Sequence, residues 1–579
     1  MSFLGVETSL TGRRWIGPDV ELTRAAELLV QRAGLPDPVC QVLARRGVLD
    51  TEAAGFLAPA LRDLLPDPRS LRDMEAAATR FLSALQKRER IAIFADYDVD
   101  GGSSAALLLV WLRDMGHRAT LYIPDRIDEG YGPNDEAMSA LAAEHDLIVC
   151  VDCGTLSHGP IAAAKGADVI VLDHHLGGET LPDALAVVNP NRQDEDGTLA
   201  HLCAAAVVFL MLVEAGRQLR EAGLKGPDLM GMLDLVGLAT VADVAPLIGV
   251  NRAFVRQGLK VMARRARPGL AALADVARMD TAPTAYHLGF LLGPRINAGG
   301  RIGQADLGAR LLATADPHEA AALAERLDQL NTDRREVEAA VRASAMAQAE
   351  ERGFDGPLAW AAGPGWHPGV VGIVASRLKE AANRPSIVIG VEDGIGKGSG
   401  RSISGIDLGA PIQRLAAEGL LIKGGGHKMA AGLTVAEDKI DAAMERLGEL
   451  LTKQGAHLAG PADLKLCGMM MPGAATVELA EMVNQAGPFG AGAPAPRYAF
   501  ADMQIRFAKR VGENHLKVSF GDGLGANLEA IAFGAYDGPL GPALENHGGA
   551  RFHLAGRLDI NNFRGRRTVQ LRLEDAARA

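Results

Sequence analysis

Four short clusters of acidic and imidazole side chains could do chemistry in this 579-residue chain. They span Asp96–Gly101, Val151–Gly154, Asp173–His175 and Val241–Asp243. Each cluster follows or ends an apolar run, which predicts a position at the end of a buried strand or on the turn after it. Carboxylate and imidazole donors suit Mg²⁺, Mn²⁺ or Zn²⁺. The clusters therefore predict a divalent-metal site that assists phosphate chemistry.

The spacing within the clusters suggests which side chains bind metal. Asp98 and Asp100 are two residues apart, so they would share a face of a strand or point at neighbouring ions from a glycine-containing turn. Asp152 could bridge two ions about 3.5–4 Å apart, the separation that two-metal hydrolysis requires. His174 would supply a nitrogen ligand, and Asp243 would complete the site of the second ion.

Three further residues of the clusters have two interpretations each. Asp96 and Asp173 could bind metal, or they could accept hydrogen bonds that orient a ligand or cap a backbone amide. His175 could donate to a phosphate oxygen or protonate a leaving group, which would make it catalytic together with Asp96 and Asp152. Its alternative role is a hydrogen bond to a neighbouring ligand. A lone aspartate at a strand end is usually a cap, so the metal hypothesis rests on four clusters occurring together.

Alternating strand and helix patterns surround the clusters. Apolar runs at 91–94, 119–123, 147–151, 169–172 and 186–188 alternate with Ala-rich helical stretches such as 104–115. This alternation predicts βαβ units with a buried parallel sheet, in which functional groups gather at the carboxyl ends of the strands. A charged segment rich in Ala and Leu, over residues 311–353, predicts one or two long helices that join separate lobes.

The rest of the chain divides into two further blocks. A second α/β unit, predicted over 354–456, has strand patterns at 358–361 and 386–389. Residues 457–579 contain five short alternating patterns, near 497–500, 515–520, 528–533, 551–554 and 568–573, which favour an OB-fold-like β-barrel. The expected chain is a multidomain α/β protein with an N-terminal appendage over 1–65 and a catalytic lobe over 66–310.

Composition limits the function classes. The formal net charge of −11 does not indicate a general nucleic-acid binder, so such binding would require a local basic groove. No stretch approaches the roughly 18 apolar residues of a membrane span, and the N-terminus lacks a signal-peptide core, which predicts a cytoplasmic protein without membrane contact. Five scattered cysteines argue against a disulfide framework, and Cys150 and Cys153 are interpreted as part of a buried strand end.

The ordered motifs resemble those of the DHH phosphoesterase superfamily. They are DYDVDGGSSAA, VDCGT, DHH and TVADVAPL, followed downstream by GPRINAGGRIG, GWHPGVVGIVASR, GKGSGRS and GGGHKMAAG. The resemblance implies a parallel-sheet DHH lobe, a DHH-associated (DHHA1) lobe and a terminal OB-fold-like barrel. It also implies two Mn²⁺ or Mg²⁺ ions, one held by Asp98 and Asp152, the other by Asp100, Asp152, His174 and Asp243.

Residues of the later motifs are candidates for binding nucleic acid. Arg295, Asn297 and Arg301, expected on a loop facing the cleft between the lobes, would hold backbone phosphates or, alternatively, form an interlobe salt-bridge network. Ser399 and Arg401 would grip a terminal 5′-phosphate.

Two other features carry weaker predictions of the same kind. In the glycine-rich stretch, Gly425 and Gly426 would expose backbone amides to a phosphate, and His427 and Lys428 would add donors. The alternative is a glycine-rich turn packed against a helix. Tyr131 would stack on a base or cover the surface of the lobe.

The activity that the resemblance implies is 5′ to 3′ exonucleolytic hydrolysis of single-stranded DNA in recombination and repair. We expect a monomer that works with a helicase and a single-strand-binding protein. One alternative is a phosphodiesterase of short oligonucleotides or cyclic dinucleotides, which the OB-like block disfavours. Another is an inactive scaffold that binds single strands, which the intact set of metal-binding residues disfavours.

Overall fold

The computed structural model describes residues 2–125, 129–458, 463–563 and 565–579. The chain forms two compact units, one made of residues 64–460 and the other made of residues 1–63 together with 461–579. The N-terminal segment thus belongs to the same unit as the C-terminal barrel. Its elements are β1 (Trp15–Ile16), α1 (Val20–Ala33), α2 (Asp37–Arg45), α3 (Ala53–Leu57) and α4 (Leu61–Leu64).

A five-stranded parallel sheet forms the first lobe of the 64–460 unit. Its strands run in the order β3-β2-β4-β5-β6, and both β2 and β4 are buried along their whole length, as their continuous apolar sequences predict. The elements are α5 (Met74–Lys87), β2 (Ile91–Ala95), α6 (Val99–Asp114), β3 (Ala119–Tyr122), α7 (Asp135–Glu144), β4 (Leu147–Val151), α8 (His158–Ala163), β5 (Asp168–Leu172) and β6 (Ala186–Val188).

Helices complete the first lobe and lead out of it. They are α9 (Ala204–Glu221), α10 (Leu233–Ala242), α11 (Gly249–Met262), α12 (Pro268–Val276), α13 (Gly293–Ile302), α14 (Leu307–Ala313) and the 36-residue α15 (Pro317–Arg352). A π-helical segment, His287–Leu292, comes directly before α13. The segment predicted to join the lobes is therefore mostly one long helix, which begins at Pro317.

A mixed five-stranded sheet forms the second lobe. Its order is β10-β11-β9-β8-β7, with β7 and β8 parallel and the other pairs antiparallel. The elements are β7 (Ala359–Pro364), α16 (Pro368–Ala382), β8 (Ser386–Glu392), β9 (Ile395–Arg401), α17 (Gly409–Ala417), β10 (Lys423–His427), β11 (Ala430–Ala436) and α18 (Ile440–Thr452).

The C-terminal block is a closed β-barrel. Strands pair in the order β14-β15-β16-β18-β17, and β17 returns to pair with β14, which closes the barrel and confirms the OB-like prediction. The elements are β12 (Leu464–Lys465), β13 (Gly468–Met469), α19 (Val477–Gln485), β14 (Tyr498–Val511), β15 (His515–Gly521), β16 (Asn527–Ala532), α20 (Leu540–Glu545), β17 (Arg551–Phe563) and β18 (Arg566–Arg578).

Two local predictions and one alternative interpretation were wrong. The cluster ending at Asp243 closes helix α10 and not a strand, because its apolar run is long enough to form a helix buried on all sides. Residues 293–302, expected as a loop, form α13 despite their glycines. The glycine-rich stretch at 423–427 is strand β10, paired along its length with β11.

Two buried groups join the N-terminal segment to the barrel. The indole Nε1 of Trp15 donates to Oδ2 of Asp575 at 2.9 Å, and both residues are fully buried. Strand β1 also pairs with β12. Since a buried carboxylate must be paired, this contact should stabilise the unit that contains residues 1–63.

We expect Asp575→Ala to cost about 2 kcal/mol of unfolding free energy, because it leaves the buried indole N–H without an acceptor. Hydrogen exchange followed by mass spectrometry should show loss of protection in β1 and β18, with β2 and β4 unchanged. The matched control is Asp559→Ala, an exposed aspartate on β17. Equal loss of protection in both variants would contradict this account.

Candidate metal centre

The first acidic cluster forms the turn between β2 and α6. Asp98 precedes the helix, and its carboxylate accepts hydrogen bonds from the backbone N–H groups of Asp100 at 2.8 Å and Gly101 at 3.1 Å. A Cβ atom at position 101 would lie 2.3 Å from the carbonyl oxygen of Asp96. Glycine at this position therefore lets the helix start close to the strand, and the three aspartates stay within one turn.

Asp100 points into the protein interior and is 1% exposed. Its two carboxylate oxygens accept hydrogen bonds from the backbone N–H groups of Ala204 at 2.7 Å and Ala205 at 2.8 Å, the first residues of α9. The N-terminus of a helix favours a negative charge. Burial raises the pKa of Asp100, and nearby His174 opposes that rise.

Asp152 follows β4 and has a backbone conformation that is rare outside glycine. Its φ is +60°, which places it in the left-handed region and stores strain where function can use it. Its Oδ1 atom is buried and has no hydrogen-bond partner among the described residues. Burial raises the pKa of Asp152 well above its ordinary value, and the charges of Asp100 and Asp98 raise it further.

His174 lies between the carboxylates. Its Nε2 atom is 3.3 Å from Oδ1 of Asp152 and 3.7 Å from Oδ2 of Asp100, and its Nδ1 atom is 3.8 Å from Oδ2 of Asp243. Asp243 ends α10. Burial, followed by the charges of Asp100 and Asp98, raises the pKa of Asp243 to about 9.

The predicted ligand residues converge into overlapping groups. In each group the ligand atoms lie within 4.8 Å of one another, and the groups are Asp96, Asp98 and Asp152; Asp100, His174 and Asp243; and Asp152, His174 and His175. A divalent cation fits this donor set on physical grounds, because it would supply the missing partner of Asp152 and neutralise carboxylates that burial disfavours. Oxygen and imidazole donors suit Mn²⁺ and Mg²⁺.

Asp173 organises the backbone and side chains around it. Its Oδ2 atom accepts from the N–H and hydroxyl of Thr155, and its Oδ1 atom accepts from the N–H groups of His174 and His175. Although burial opposes the effect, hydrogen bonds from His175 and Thr155 hold the pKa of Asp173 below its ordinary value. Of its two predicted roles, this geometry favours orienting the neighbouring histidines over binding metal.

His175 is held at both ring nitrogens. Nδ1 lies 2.8 Å from Oδ1 of Asp173, and Nε2 lies 3.1 Å from the hydroxyl of Tyr131. Burial lowers the pKa of His175, but the hydrogen bond and charge of Asp173 outweigh it and raise the pKa to about 9. The imidazole is 46% exposed, so it can meet a substrate as a charged proton donor.

Tyr131 contacts the centre through its hydroxyl. The hydroxyl donates to the backbone oxygen of Asp152 at 3.2 Å while it contacts His175. It therefore connects the strained backbone of one candidate ligand to the candidate proton donor. Base stacking and surface covering, the two roles predicted for the Tyr131 ring, stay predictions beside this contact of the hydroxyl.

The candidate phosphate-binding residues have protein partners. Arg295 donates to Asp328 at 2.8 Å, Asn297 accepts from the backbone N–H of Val99 at 2.9 Å, and Arg301 donates to the carbonyl of Gly369 at 3.1 Å. Of these three contacts, the one between Arg295 and Asp328 is an ion pair and the other two are hydrogen bonds with backbone groups, so phosphate binding by the three residues stays a prediction. They tie α13 to the first motif, to α15 and to the start of α16.

Ser399 and Arg401 lie side by side on β9. The guanidinium Nη1 of Arg401 donates to Oγ of Ser399 at 3.0 Å. A Cβ placed on Gly372 of α16 would lie 3.0 Å from that Oγ and 3.1 Å from Nη2 of Arg401. Both side chains therefore face the N-terminal half of α16, close to the turn that Arg301 contacts.

The glycine-rich stretch lies on the same sheet as β9. Gly425 and Gly426 are on β10, His427 ends it, and Lys428 starts the turn to β11, which pairs with β9. His427 and Lys428 are exposed. The stretch is thus a hairpin edge whose donors reach solvent.

Sequence reasoning missed several supporting residues. The N–H groups of Ala204 and Ala205 hold Asp100 across more than a hundred positions, and no local pattern indicates that contact. Asn189, at the end of β6, donates to Thr155 and to the carbonyl of His175. Its place at the end of an apolar run was the available signal.

Three family models match the chain in order. They are the DHH family N-terminal domain over residues 90–240, the DHHA1 domain over 355–453 and the RecJ OB domain over 468–575. Together with the parallel-sheet lobe and its carboxylate and histidine centre, these matches define a DHH phosphoesterase.

Whole-chain relatives narrow the assignment. The chain is 41% identical to the single-stranded-DNA-specific exonuclease RecJ of Dickeya dadantii and 38% identical to that of Escherichia coli, over 93% and 94% of this chain and 96% of each relative. A crystal structure of RecJ with Mn²⁺ from Thermus thermophilus superposes with a TM-score of 0.80 at 29% identity, covering 97% of this chain and 79% of that one. The chain belongs to the RecJ family.

We expect Tyr131→Phe to weaken Mn²⁺ binding about tenfold while the fold stays intact, because the variant releases the backbone of Asp152 and one nitrogen of His175. Isothermal titration with Mn²⁺ measures this directly. The matched control is Tyr122→Phe, whose hydroxyl contacts Glu129 on the same lobe. Unchanged affinity in the Tyr131 variant, or an equal loss in the control, would contradict the role assigned to the hydroxyl.

Proposed function

We propose that this protein is a single-stranded-DNA-specific exonuclease that hydrolyses phosphodiester bonds from the 5′ end and releases 5′-mononucleotides. The observation that carries the proposal is the buried Oδ1 of Asp152, which has no hydrogen bond from the described residues and belongs to two of the groups of ligand atoms. Such a centre is suited to a pair of Mn²⁺ or Mg²⁺ ions. When bound, divalent cations make water a stronger nucleophile and neutralise charge on the reacting phosphate.

The chain's own residues divide the remaining work. Asp98 and Asp152 would hold one ion, and Asp100, His174 and Asp243, with Asp152 shared, would hold the other. His175, whose Nδ1 atom is held by Asp173, is placed to donate to a phosphate oxygen or to protonate the leaving oxygen. Asp96, in the group with Asp98 and Asp152, would bind or orient a ligand.

Recognition of the 5′ end is assigned to the second lobe. Ser399 and Arg401 lie together on β9, and a guanidinium can bind a terminal phosphate through two parallel hydrogen bonds. Arg301 approaches the same helix start through its contact with Gly369. Support for backbone contacts by His427 and Lys428 comes from their exposure on the neighbouring hairpin.

The OB-like barrel favours a polymeric substrate. Such barrels bind single strands through base stacking and backbone contacts, which a phosphodiesterase of short oligonucleotides or cyclic dinucleotides does not require. An inactive strand-binding scaffold would have no use for a strained backbone and a buried carboxylate oxygen without a hydrogen bond at Asp152. Both alternatives are therefore weaker.

The cellular setting follows from the substrate. We place the activity in recombination and repair in the cytoplasm, where a helicase and a single-strand-binding protein would present the strand to a monomeric enzyme. Among the described residues, no helix combines the length and the apolarity needed to cross a membrane.

We expect Asp152→Ala to lower the hydrolysis rate at least a thousandfold, because metal-assisted stabilisation of the transition state is worth several kcal/mol. The assay uses Mn²⁺ with 5′-labelled and 3′-labelled single-stranded DNA, duplex DNA and RNA. Wild-type protein should release mononucleotides from the 5′ end of single-stranded DNA only. The matched control is Asp168→Ala, at the opposite end of β5 from Asp173. Activity on duplex, or activity that survives in Asp152→Ala, would refute the proposal.

We expect Arg401→Ala to reduce the preference for a 5′-phosphorylated over a 5′-hydroxyl strand by about ten- to a hundredfold, the value of a charged hydrogen bond. Competition between the two strands for one enzyme sample gives the ratio of kcat/KM values. Arg414→Ala is the matched control, since that arginine pairs with Glu418 on α17 of the same lobe. A preference that stays at the wild-type ratio would remove Arg401 from end recognition.

A further inference from the structure

Two aromatic rings are exposed and stacked on each other in the first lobe. Tyr286 is 53% exposed and Phe290 is 71% exposed. Their ring centroids are 5.2 Å apart and the ring planes are inclined by 24°. Tyr286 directly precedes the π-helical segment and Phe290 lies within it, while Leu288 and Leu292 are buried.

The segment that carries the aromatic pair packs against the end of α10, where a candidate metal ligand lies. A Cβ placed on Gly289, between the two rings in sequence, would lie 3.4 Å from Cγ1 of Val241, and one placed on Gly293 would lie 3.4 Å from Cβ of Ala242. Val241 and Ala242 form the last turn of α10, which ends at Asp243. The segment that carries the rings therefore packs against the element that positions a candidate ligand.

The surroundings of the pair are open to solvent. Val244, which follows Asp243, is 68% exposed. The side chains of Asp243 and His175 are 24% and 46% exposed, so the centre itself opens to solvent at these residues. The exposed side of the centre at Asp243 thus includes an apolar side chain, that of Val244.

The chemistry of the pair selects its partner. Two stacked rings expose far less area than the roughly 800 Å² that each partner contributes to a stable protein interface. Their flat faces are suited to an unpaired base, which stacks on an aromatic ring whatever its identity. π-Helical segments are also found frequently at functional sites.

We propose that Tyr286 and Phe290 form a stacking platform for bases of the single strand whose phosphate occupies the metal centre. This inference rests on the proposed function and extends it. An unpaired base can lie on the rings, whereas a base held within a duplex has its faces covered by its neighbours. The platform would therefore contribute to the preference for single strands without reading their sequence.

The test separates stacking from simple packing. The double variant Tyr286→Leu/Phe290→Leu keeps bulky apolar side chains at both positions but removes both rings. The swap variant Tyr286→Phe/Phe290→Tyr keeps a ring at each position. Fluorescence anisotropy in EDTA measures binding of an ordinary strand and of one with abasic positions. The p-nitrophenyl ester of thymidine 5′-phosphate, hydrolysed with Mn²⁺, reports on the metal centre alone. The control is Leu224→Ala, an exposed residue beyond the C-terminal end of α9, a helix about 27 Å long whose first residue, Ala204, donates to Asp100 at the opposite end.

The leucine variant should bind the ordinary strand about tenfold more weakly, should no longer distinguish it from the abasic strand, and should hydrolyse the ester at the wild-type rate. The swap and the Leu224 variant should behave as wild type. Unchanged strand binding in the leucine variant would overturn the platform. This holds even if the variant lost a contact with another protein. Equal losses of strand binding and ester hydrolysis would also overturn it, because they would indicate mere support of α10. If the protein binds the ordinary strand more tightly than the abasic one but hydrolyses no substrate, the stacking platform is supported and the proposed nuclease activity is refuted.

Discussion

The packing of several carboxylates into one buried site is the constraint on which the catalytic lobe depends. Asp100 and Asp152 are almost fully buried, and burial raises the pKa of each of them and of Asp243. A buried, ionised carboxylate is unfavourable for folding unless positive charge or hydrogen-bond donors compensate for its lost hydration. The chain supplies donors to Asp98 and Asp100 from two helix N-termini, but no residue that the structure describes donates a hydrogen bond to Oδ1 of Asp152. That unequal compensation defines where a cation belongs.

The parallel sheet meets this constraint by bringing distant segments to one edge. Strands β2, β4 and β5 all end at the same side, so Asp98, Asp152 and His174 meet there although they are far apart in sequence. Local backbone then makes the fine adjustment. Gly101 allows the close turn after β2, and the positive φ of Asp152 turns its carboxylate towards the histidine. The order of the strands brings the candidate ligand residues close together, and these turns orient their side chains.

Much of this centre could be predicted from the sequence because its signals are local. A buried strand followed by an acidic turn can be recognised in the sequence, and three of the four clusters lie at strand ends. The fourth was misread because an apolar run without clear periodicity is compatible with a buried helix as well as with a strand, and Asp243 ends α10. Likewise, glycines in 293–302 suggested a loop, whereas contacts of Arg295 with Asp328 and of Asn297 with Val99 hold that segment as a helix. Contacts between residues this far apart in sequence produce no recognisable local sequence pattern.

The acidity of the chain affects how it can hold a strand. With a formal net charge of −11, long-range electrostatics oppose the approach of a polyanion, and each phosphate contact weakens as salt rises. Several arginines that looked available are also engaged by the protein itself, as in the pair of Arg295 with Asp328. Stacking on neutral rings does not depend on net charge. An acidic nuclease therefore gains most from combining a few placed cationic groups, such as Arg401, with exposed aromatic faces close to the site of hydrolysis.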